Sequence, residues 1–122
     1  MEANLAYAGR RFRIEYAVLA DGSMPASEFL EQQETRWRAK MLYLFQRLGD
    51  IGEIKNREQF KKVGGDFWEF KAFQVRVLSY FRQGGIVVLT HGIIKKQDIF
   101  SRAELQKAES IRAEYTKSLR QH

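Results

Sequence analysis

Residues 66–82 read DFWEFKAFQVRVLSYFR and residues 86–96 read IVVLTHGIIKK, and these two stretches decide the fold. They divide into three strand-like runs, residues 66–73, 75–81 and 86–92. The last two runs are joined by the short turn Arg82-Gln83-Gly84-Gly85, whose composition predicts a hairpin. The third run is apolar on both faces, which is typical of a central strand covered on both sides.

The residues before this stretch predict one more strand and one long helix. Residues 11–20, RFRIEYAVLA, alternate between apolar and polar side chains, so we expect a half-buried strand. A helix follows and ends at Gly49, and its stripe of inward-facing positions consists of Leu30, Gln33, Trp37, Met41, Leu44 and Leu48. Residues 50–63 are polar and predict at most a short helix around residues 57–62.

The residues after the stretch predict a closing helix, because Ser101 and Glu104 have the spacing of a capping box. The complete order is β-α-(α)-β-β-β-α, which predicts an α+β fold. We expect a small antiparallel sheet, made of the N-terminal strand and a three-strand C-terminal meander, with helices packed on one side. A chain of 122 residues has the usual length of one domain, so we expect a single domain over residues 1–122 with frayed termini at residues 1–10 and 117–122.

The composition excludes several classes of protein and site. The chain has no cysteine and only two histidines, which argues against disulfides and against zinc or other soft-metal sites. No segment has the pattern of a targeting or membrane-spanning sequence, so we expect a cytoplasmic protein that binds no membrane and needs no metal or cofactor. The net charge of +6 indicates an anionic partner, and half of it lies within residues 66–96.

This middle segment predicts a cationic patch on one face of the sheet, since alternate residues of a strand share a face. The patch consists of Lys71, Arg76, Tyr80, Arg82, His91, Lys95 and Lys96. A plain solvated sheet face is the alternative interpretation, and His91 could equally be a satisfied buried histidine. Side chains of these types can cleave RNA without a metal. A base takes the proton of a 2′-hydroxyl, cations stabilise the charge on phosphorus, and an acid protonates the leaving 5′-oxygen.

The same stretches resemble the RelE/ParE/HigB superfamily of toxin–antitoxin toxins, and specifically its phage-derived HigB-like branch. That branch has a glycine-rich lead-in, an aliphatic-Glu-Leu-Arg strand, a Tyr/Phe-Arg-Val strand and a strand that ends in Leu-His-Gly-Phe-x-Lys-Lys. Here Gly64-Gly65 and residues 67–71, 74–77 and 89–96 take those places. The resemblance covers residues 11–116 and implies a RelE-like fold, in agreement with the order of strands and helices.

The resemblance also implies an activity, the ribosome-dependent cleavage of mRNA by the toxin of a type II toxin–antitoxin system (an mRNA interferase). Its implied partners are ribosome-bound mRNA and a cognate helix-turn-helix antitoxin encoded by the adjacent gene. Arg76 stands at the strand arginine that is proposed to bind the scissile phosphate, and Lys71 replaces a more usual arginine. Lys95 and Lys96 take the Lys-Lys positions, as base or phosphate clamps. Tyr80 is the expected stacking or acid group, and Arg82 and His91 are expected to contact RNA.

Two alternative functions stay open at this point. A ParE-like toxin would poison DNA gyrase through a protein surface and would need no phosphate-binding cluster. An inactive prophage remnant would only bind its antitoxin. The sequence predicts no oligomeric state.

Overall fold

The computed structural model describes residues 3–95 and 101–121, which form six strands and three helices. The strands are β1 (Leu5–Ala8), β2 (Arg13–Tyr16), β3 (Phe60–Gly64), β4 (Phe67–Ala72), β5 (Val75–Arg82) and β6 (Ile86–Ile94). The helices are α1 (Pro25–Glu31), α2 (Thr35–Ile51) and α3 (Arg102–Arg120). Within the described residues, no helix is both long and apolar enough to cross a membrane.

The predicted C-terminal meander is confirmed as β4, β5 and β6. β5 lies in the middle and pairs antiparallel with both neighbours. The turn between β5 and β6 contains Gly84 and Gly85, whose φ angles of 94° and 74° lie in the region that glycine enters without steric cost. The alternating pattern and the glycine turn were therefore sufficient to place these three strands.

The sheet as a whole differs from the prediction. Its six strands follow the order β1-β2-β6-β5-β4-β3, and β2 runs parallel to β6, with Ile14 opposite Val87. The expected antiparallel sheet of four strands is therefore wrong, because the sheet is mixed and has two further edge strands. The parallel pair arises because α1 and α2 form a crossover between β2 and the meander, and parallel strands require such a connection.

Both additional strands come from segments with weak sequence patterns. β1 lies within residues 1–10, for which the sequence predicts fraying, and it pairs antiparallel with β2. β3 lies where a short helix is predicted around residues 57–62. There the ring of Phe60 lies 5.0 Å from Trp68 and 4.7 Å from Phe70, both in β4. This aromatic packing requires Phe60 to sit beside β4, which explains why a polar segment is extended.

Helices cover both faces of the sheet, so the prediction of helices on one side is wrong. α1 and α2 pack on the face that carries Val77 and Val87. α3 packs on the opposite face, which carries Leu78 and Val88. Because successive strand residues point to opposite faces, these neighbouring apolar pairs supply both layers. A sheet with two apolar faces buries them only between two layers of helix.

The predicted long helix is divided into α1 and α2. Gln32 and Gln33 donate their backbone N–H groups to the carbonyls three residues earlier, a tight turn that ends α1. The division allows Phe29 of α1 to lie against Gly92 of β6. A Cβ atom at Gly92 would lie 2.1 Å from the Cδ2 atom of Phe29, so only glycine leaves room for the ring.

β6 contains a bulge at Thr90. Leu78 of β5 lies opposite His91, whereas Ser79 lies opposite Leu89, so Thr90 is the extra residue. Its hydroxyl group donates a hydrogen bond of 3.2 Å to the carbonyl of Leu78. One extra residue exchanges the two faces for every side chain beyond it. His91 therefore lies on the α3 face, although Leu89 lies on the face of α1 and α2.

Candidate functional site

Charged side chains gather at one end of the sheet face on which α3 packs, and we call this group the Glu69 cluster. It consists of Lys61, Glu69, Lys71, Arg76 and Lys95. β3, β4 and β5 contribute the first four residues. Lys95 follows β6 directly, and its backbone N–H donates to the carbonyl of Gln74 at 2.8 Å. The strands thus place five charged residues from four parts of the chain on one surface.

Glu69 is the buried carboxylate of the cluster, with 2% of its surface exposed. Its Oε1 lies 3.4 Å from Nε of Arg76, and its Oε2 lies 3.8 Å from Nζ of Lys61. Burial raises the pKa of Glu69, and the positive charges of Arg76, Lys61, Lys95 and Lys71 oppose this rise. Glu69 is therefore the counterion that four cations share.

Arg76 is fixed from two sides. Only 4% of its surface is exposed, and Nη1 donates to the carbonyl oxygens of Phe73 at 2.9 Å and Val75 at 3.2 Å. Glu69 binds the Nε side of the same guanidinium. Phe73 has a φ of 58°, a left-handed conformation that is uncommon for a bulky residue. The strained turn and the buried carboxylate together determine the orientation of the arginine.

The lysines of the cluster are more exposed than Glu69 and Arg76. Nζ of Lys71 lies 3.2 Å from Oε1 of Glu58, whose side chain is 77% exposed. Lys95 is partly exposed as a residue, although its Nζ atom is buried. Glu69 and Glu58 are two carboxylates that pair with these cations. Lys96, the second predicted lysine of the pair, lies outside the described residues.

The structure separates Tyr80 from the Glu69 cluster. Tyr80 is 3% exposed and lies beneath α3, in contact with a core that includes Ile111 and Phe67. The guanidinium of Arg112 lies 5.6 Å above its ring. Burial raises the pKa of Tyr80 to about 12, so the hydroxyl stays protonated at neutral pH. Tyr80 therefore packs α3 against the sheet, and its predicted role as a stacking or acid group stays a prediction.

Arg82 is also separate, because it belongs to a second polar group that we call the Glu15 cluster. This cluster consists of Arg13, Glu15, Arg82 and Tyr115. Oε1 of the buried Glu15 accepts from the Tyr115 hydroxyl at 2.8 Å and lies 2.9 Å from Nη1 of Arg82. The arginine predicted to bind RNA thus neutralises a buried carboxylate that joins β2, β5 and α3.

His91 is a satisfied buried histidine, one of the two interpretations that the sequence allows. It is 2% exposed, with Nε2 3.0 Å from Oε1 of Glu104 and Nδ1 3.1 Å from the hydroxyl of Thr90. Burial lowers the pKa of His91 and Lys107 lowers it further, although Glu104 acts in the raising direction. His91 therefore connects β6 to the first turn of α3 through Glu104.

Of the predicted site residues, the structure brings together Lys71, Arg76 and Lys95. It adds two residues that sequence reasoning missed, Lys61 and Glu69. Lys61 could have been found from the residues before Gly64-Gly65, because they pair with β4 as a hairpin. Glu69 could have been found because it shares a strand face with Lys71, and a buried carboxylate is costly unless a cation lies beside it.

The cluster has the chemistry of an anion-binding site. Lysine ammonium groups and an arginine guanidinium on fixed strands can bind the oxygens of a phosphodiester and stabilise additional charge on phosphorus. In residues 3–95 and 101–121, no group of three or more His, Cys, Asp or Glu side chains could hold a metal ion. The cations are therefore the groups in this region with which an anion can interact.

Comparison with known proteins identifies one family. Residues 28–113 match the family described as phage-derived protein Gp49-like (DUF891). The match begins in α1, ends within α3 and includes every residue of the Glu69 cluster. A search of curated proteins finds no match to the chain.

Proposed function

The chain belongs to the phage-derived Gp49-like family, and we propose that it is the toxin of a type II toxin–antitoxin system that cleaves ribosome-bound mRNA. The observation that carries this proposal is the convergence of Lys71, Arg76 and Lys95 around one buried carboxylate. A gyrase-binding surface would not require several strands to present cations to a single point. Cleavage of an RNA phosphodiester does require cations gathered at one point, because negative charge develops on phosphorus.

The proposed reaction uses the cluster for acid–base and electrostatic catalysis. One lysine, Lys71 or Lys95, acts in its neutral amine form and accepts the proton of the 2′-hydroxyl, whose oxygen attacks the adjacent phosphorus. The bond from phosphorus to the 5′-oxygen breaks, and a second ammonium group gives that oxygen a proton. The products are a 2′,3′-cyclic phosphate and a 5′-hydroxyl. Arg76 stabilises the phosphorane-like transition state from its fixed position on β5.

The proposed protein partner is an antitoxin encoded by the adjacent gene. An acidic segment of such a protein would meet three lysines and one arginine at the Glu69 cluster. Covering these cations would exclude mRNA from the same surface, so one contact would both bind and neutralise the toxin. We propose that the protein meets both partners, the antitoxin and ribosome-bound mRNA, in the cytoplasm.

The test is inducible expression of the full chain with primer extension on cellular mRNA. We expect growth arrest and new mRNA ends for the wild type, and loss of both for Lys71→Ala and Lys95→Ala. Lys62→Ala is the matched control, because Lys62 is exposed and pairs with Trp68 on the opposite side of β3 from Lys61. Arg76→Lys is preferable to alanine, since alanine would leave Glu69 buried without its closest cation.

The outcomes separate the three functions. Growth arrest with intact mRNA and inhibited supercoiling by the purified protein would replace the proposal with gyrase poisoning. Antitoxin binding without growth arrest would indicate an inactive remnant. A lysine-to-alanine series that leaves mRNA cleavage unchanged would contradict the assignment of the cluster even if cleavage itself is observed.

A further inference from the structure

Glu69 is unusual among the charged residues of the cluster, because it carries the charge opposite to that of a binding site for RNA. It is nevertheless the least exposed member, at 2%, and it contacts Arg76 and Lys61 directly. Burying a carboxylate costs several kcal/mol unless cations compensate it. A side chain retained at that cost, in the middle of a proposed anion site, requires a physical explanation.

We propose that Glu69 is a positioning residue and an internal counterion, which occupies the cations in the free protein and orients Arg76 for the scissile phosphodiester. This inference rests on the proposed function. It assigns two separable effects to one carboxylate. Its ion pair with Nε fixes the guanidinium, and its charge keeps four cations close together before RNA binds.

The orienting effect follows from the contacts of Arg76. The carbonyl oxygens of Phe73 and Val75 bind Nη1, and Glu69 lies against Nε on another edge of the planar group. A guanidinium fixed on two edges has few rotamers, so it presents one orientation to a ligand. Removing the Glu69 contact would remove the restraint on the Nε edge, and Arg76 would then be less well aligned with the phosphate.

The counterion effect follows from charge. Lys61 comes from β3, Lys71 from the same strand as Glu69, Arg76 from β5, and Lys95 from the end of β6. Their mutual repulsion is reduced while Glu69 is ionised. A phosphodiester that enters among these cations brings a second negative charge near Glu69, which favours protonation of the carboxylate. Of the titratable side chains near this part of the face, Glu58 lies against Lys71 and His91 is paired with Glu104 of α3.

Binding and protonation of Glu69 are therefore linked. Burial already raises the pKa of Glu69 above its usual value. A bound anion raises it further, so the complex takes up a proton and RNA binds more tightly as the pH falls toward that pKa. Phosphodiesters do not titrate near neutrality, so this pH dependence belongs to the protein.

The experiment measures binding without cleavage. The probe is a fluorescently labelled single-stranded RNA with 2′-O-methyl groups, which lacks the nucleophile, and its affinity for the full chain is measured by anisotropy between about pH 7.5 and about pH 5. Glu69→Gln keeps a side-chain oxygen beside Arg76 and removes the charge. Glu69→Ala removes both. Glu58→Gln is the matched control, because it removes a carboxylate from the exposed side of the cluster.

We expect Glu69→Gln to bind the probe about tenfold more tightly than wild type near pH 7.5, the factor that one unit of pKa linkage represents. The difference should shrink as the pH falls, because the wild-type carboxylate becomes protonated. Glu58→Gln should keep the pH dependence of the wild type. On ribosome-bound mRNA, Glu69→Gln should retain cleavage at saturation, whereas Glu69→Ala should lose at least tenfold in the rate although it binds the probe about as tightly as Glu69→Gln.

Equal affinity of Glu69→Gln and wild type at every pH would overturn the counterion role. A Glu69→Ala variant that cleaves at the wild-type rate would overturn the positioning role. If the wild type does not bind the probe at any pH, the proposed RNA function fails and this inference fails with it. If the wild type binds and cleaves but Glu69 has neither effect, only this inference fails. Denaturant unfolding of each variant confirms that the compared proteins are folded.

Discussion

Tyr115 of α3 donates a hydrogen bond of 2.8 Å to Oε1 of Glu15 in β2, joining residues 100 positions apart. Glu15 is 5% exposed and Tyr115 is 4% exposed. Asn4 donates to the same tyrosine hydroxyl at 2.9 Å, so one phenol connects the N-terminal residues, the sheet and the last helix. The contact shows that α3 is attached by buried polar groups as well as by its apolar stripe.

Tyr115→Phe removes this hydroxyl and keeps the ring. We expect the free energy of unfolding to fall by about 1–3 kcal/mol, the usual effect of removing a hydrogen bond to a charged group that stays buried. Urea unfolding checks the change. Tyr43→Phe is the control, because Tyr43 is 47% exposed and its variant should unfold at the wild-type urea concentration. Equal midpoints for the two variants would show that the Glu15 contact contributes little.

His91→Gln should change how stability depends on pH. Burial lowers the pKa of His91 in the folded state, so the unfolded chain binds more protons as the pH falls below about 6.5. The contribution of neutral His91 is complete above that pH and is lost as the pH decreases through it. Wild type should therefore lose more stability than His91→Gln between about pH 7 and about pH 5. Unfolding curves with parallel pH dependence in both proteins would contradict this prediction.

Gly92→Ala should be destabilising because of Phe29. The added Cβ would lie 2.1 Å from a ring atom of Phe29, which forces α1 or β6 to move. We expect a loss of about 1–3 kcal/mol, the usual cost of overpacking, measured by denaturant unfolding. A second substitution, Phe29→Leu, should recover part of the loss. If the two substitutions are simply additive, the clash is not the cause.

Lys61→Ala should weaken RNA binding although the sequence does not single out this residue. Lys61 faces Glu69, whereas its neighbour Lys62 is exposed and lies opposite Trp68. We expect Lys61→Ala to reduce affinity for single-stranded RNA and to lower the slope of log affinity against log salt by about 0.7, the value for one phosphate contact on a single strand. Lys62→Ala should leave the slope unchanged. The same slope for both variants would exclude Lys61 from the binding surface.

The sequence predicts the local parts of this fold well and the distant pairings poorly. β4, β5 and β6 follow from alternation and from the glycine turn, since both signals are contained in neighbouring residues. The parallel alignment of Ile14 with Val87 depends on a crossover of many residues, and no local pattern records it. The apolar residues Leu78 and Val88 on the supposedly polar face were the available sign that a second helical layer covers it.

The candidate site was predicted in part for the same reason. Lys71 and Arg76 lie opposite one another in adjacent strands, so their proximity follows from the register of one hairpin. His91 was assigned to the right face, but the reason lies in the bulge at Thr90, which periodicity alone does not reveal. Tyr80 and Arg82 lie on the same strand face as Arg76, as predicted. However, Tyr80 packs against α3, and Arg82 pairs with Glu15. The sequence thus indicates which side chains share a face of the sheet, but it does not indicate that α3 covers that face.

The parallel pairing of β2 with β6 also determines when the protein can finish folding during synthesis. β2 leaves the ribosome before its parallel neighbour, which begins at Ile86, and before Tyr115, the partner of Glu15. Contacts of such long sequence separation form late and slowly compared with helices and hairpins. The nascent chain therefore carries an incomplete sheet until β6 and α3 have both been made.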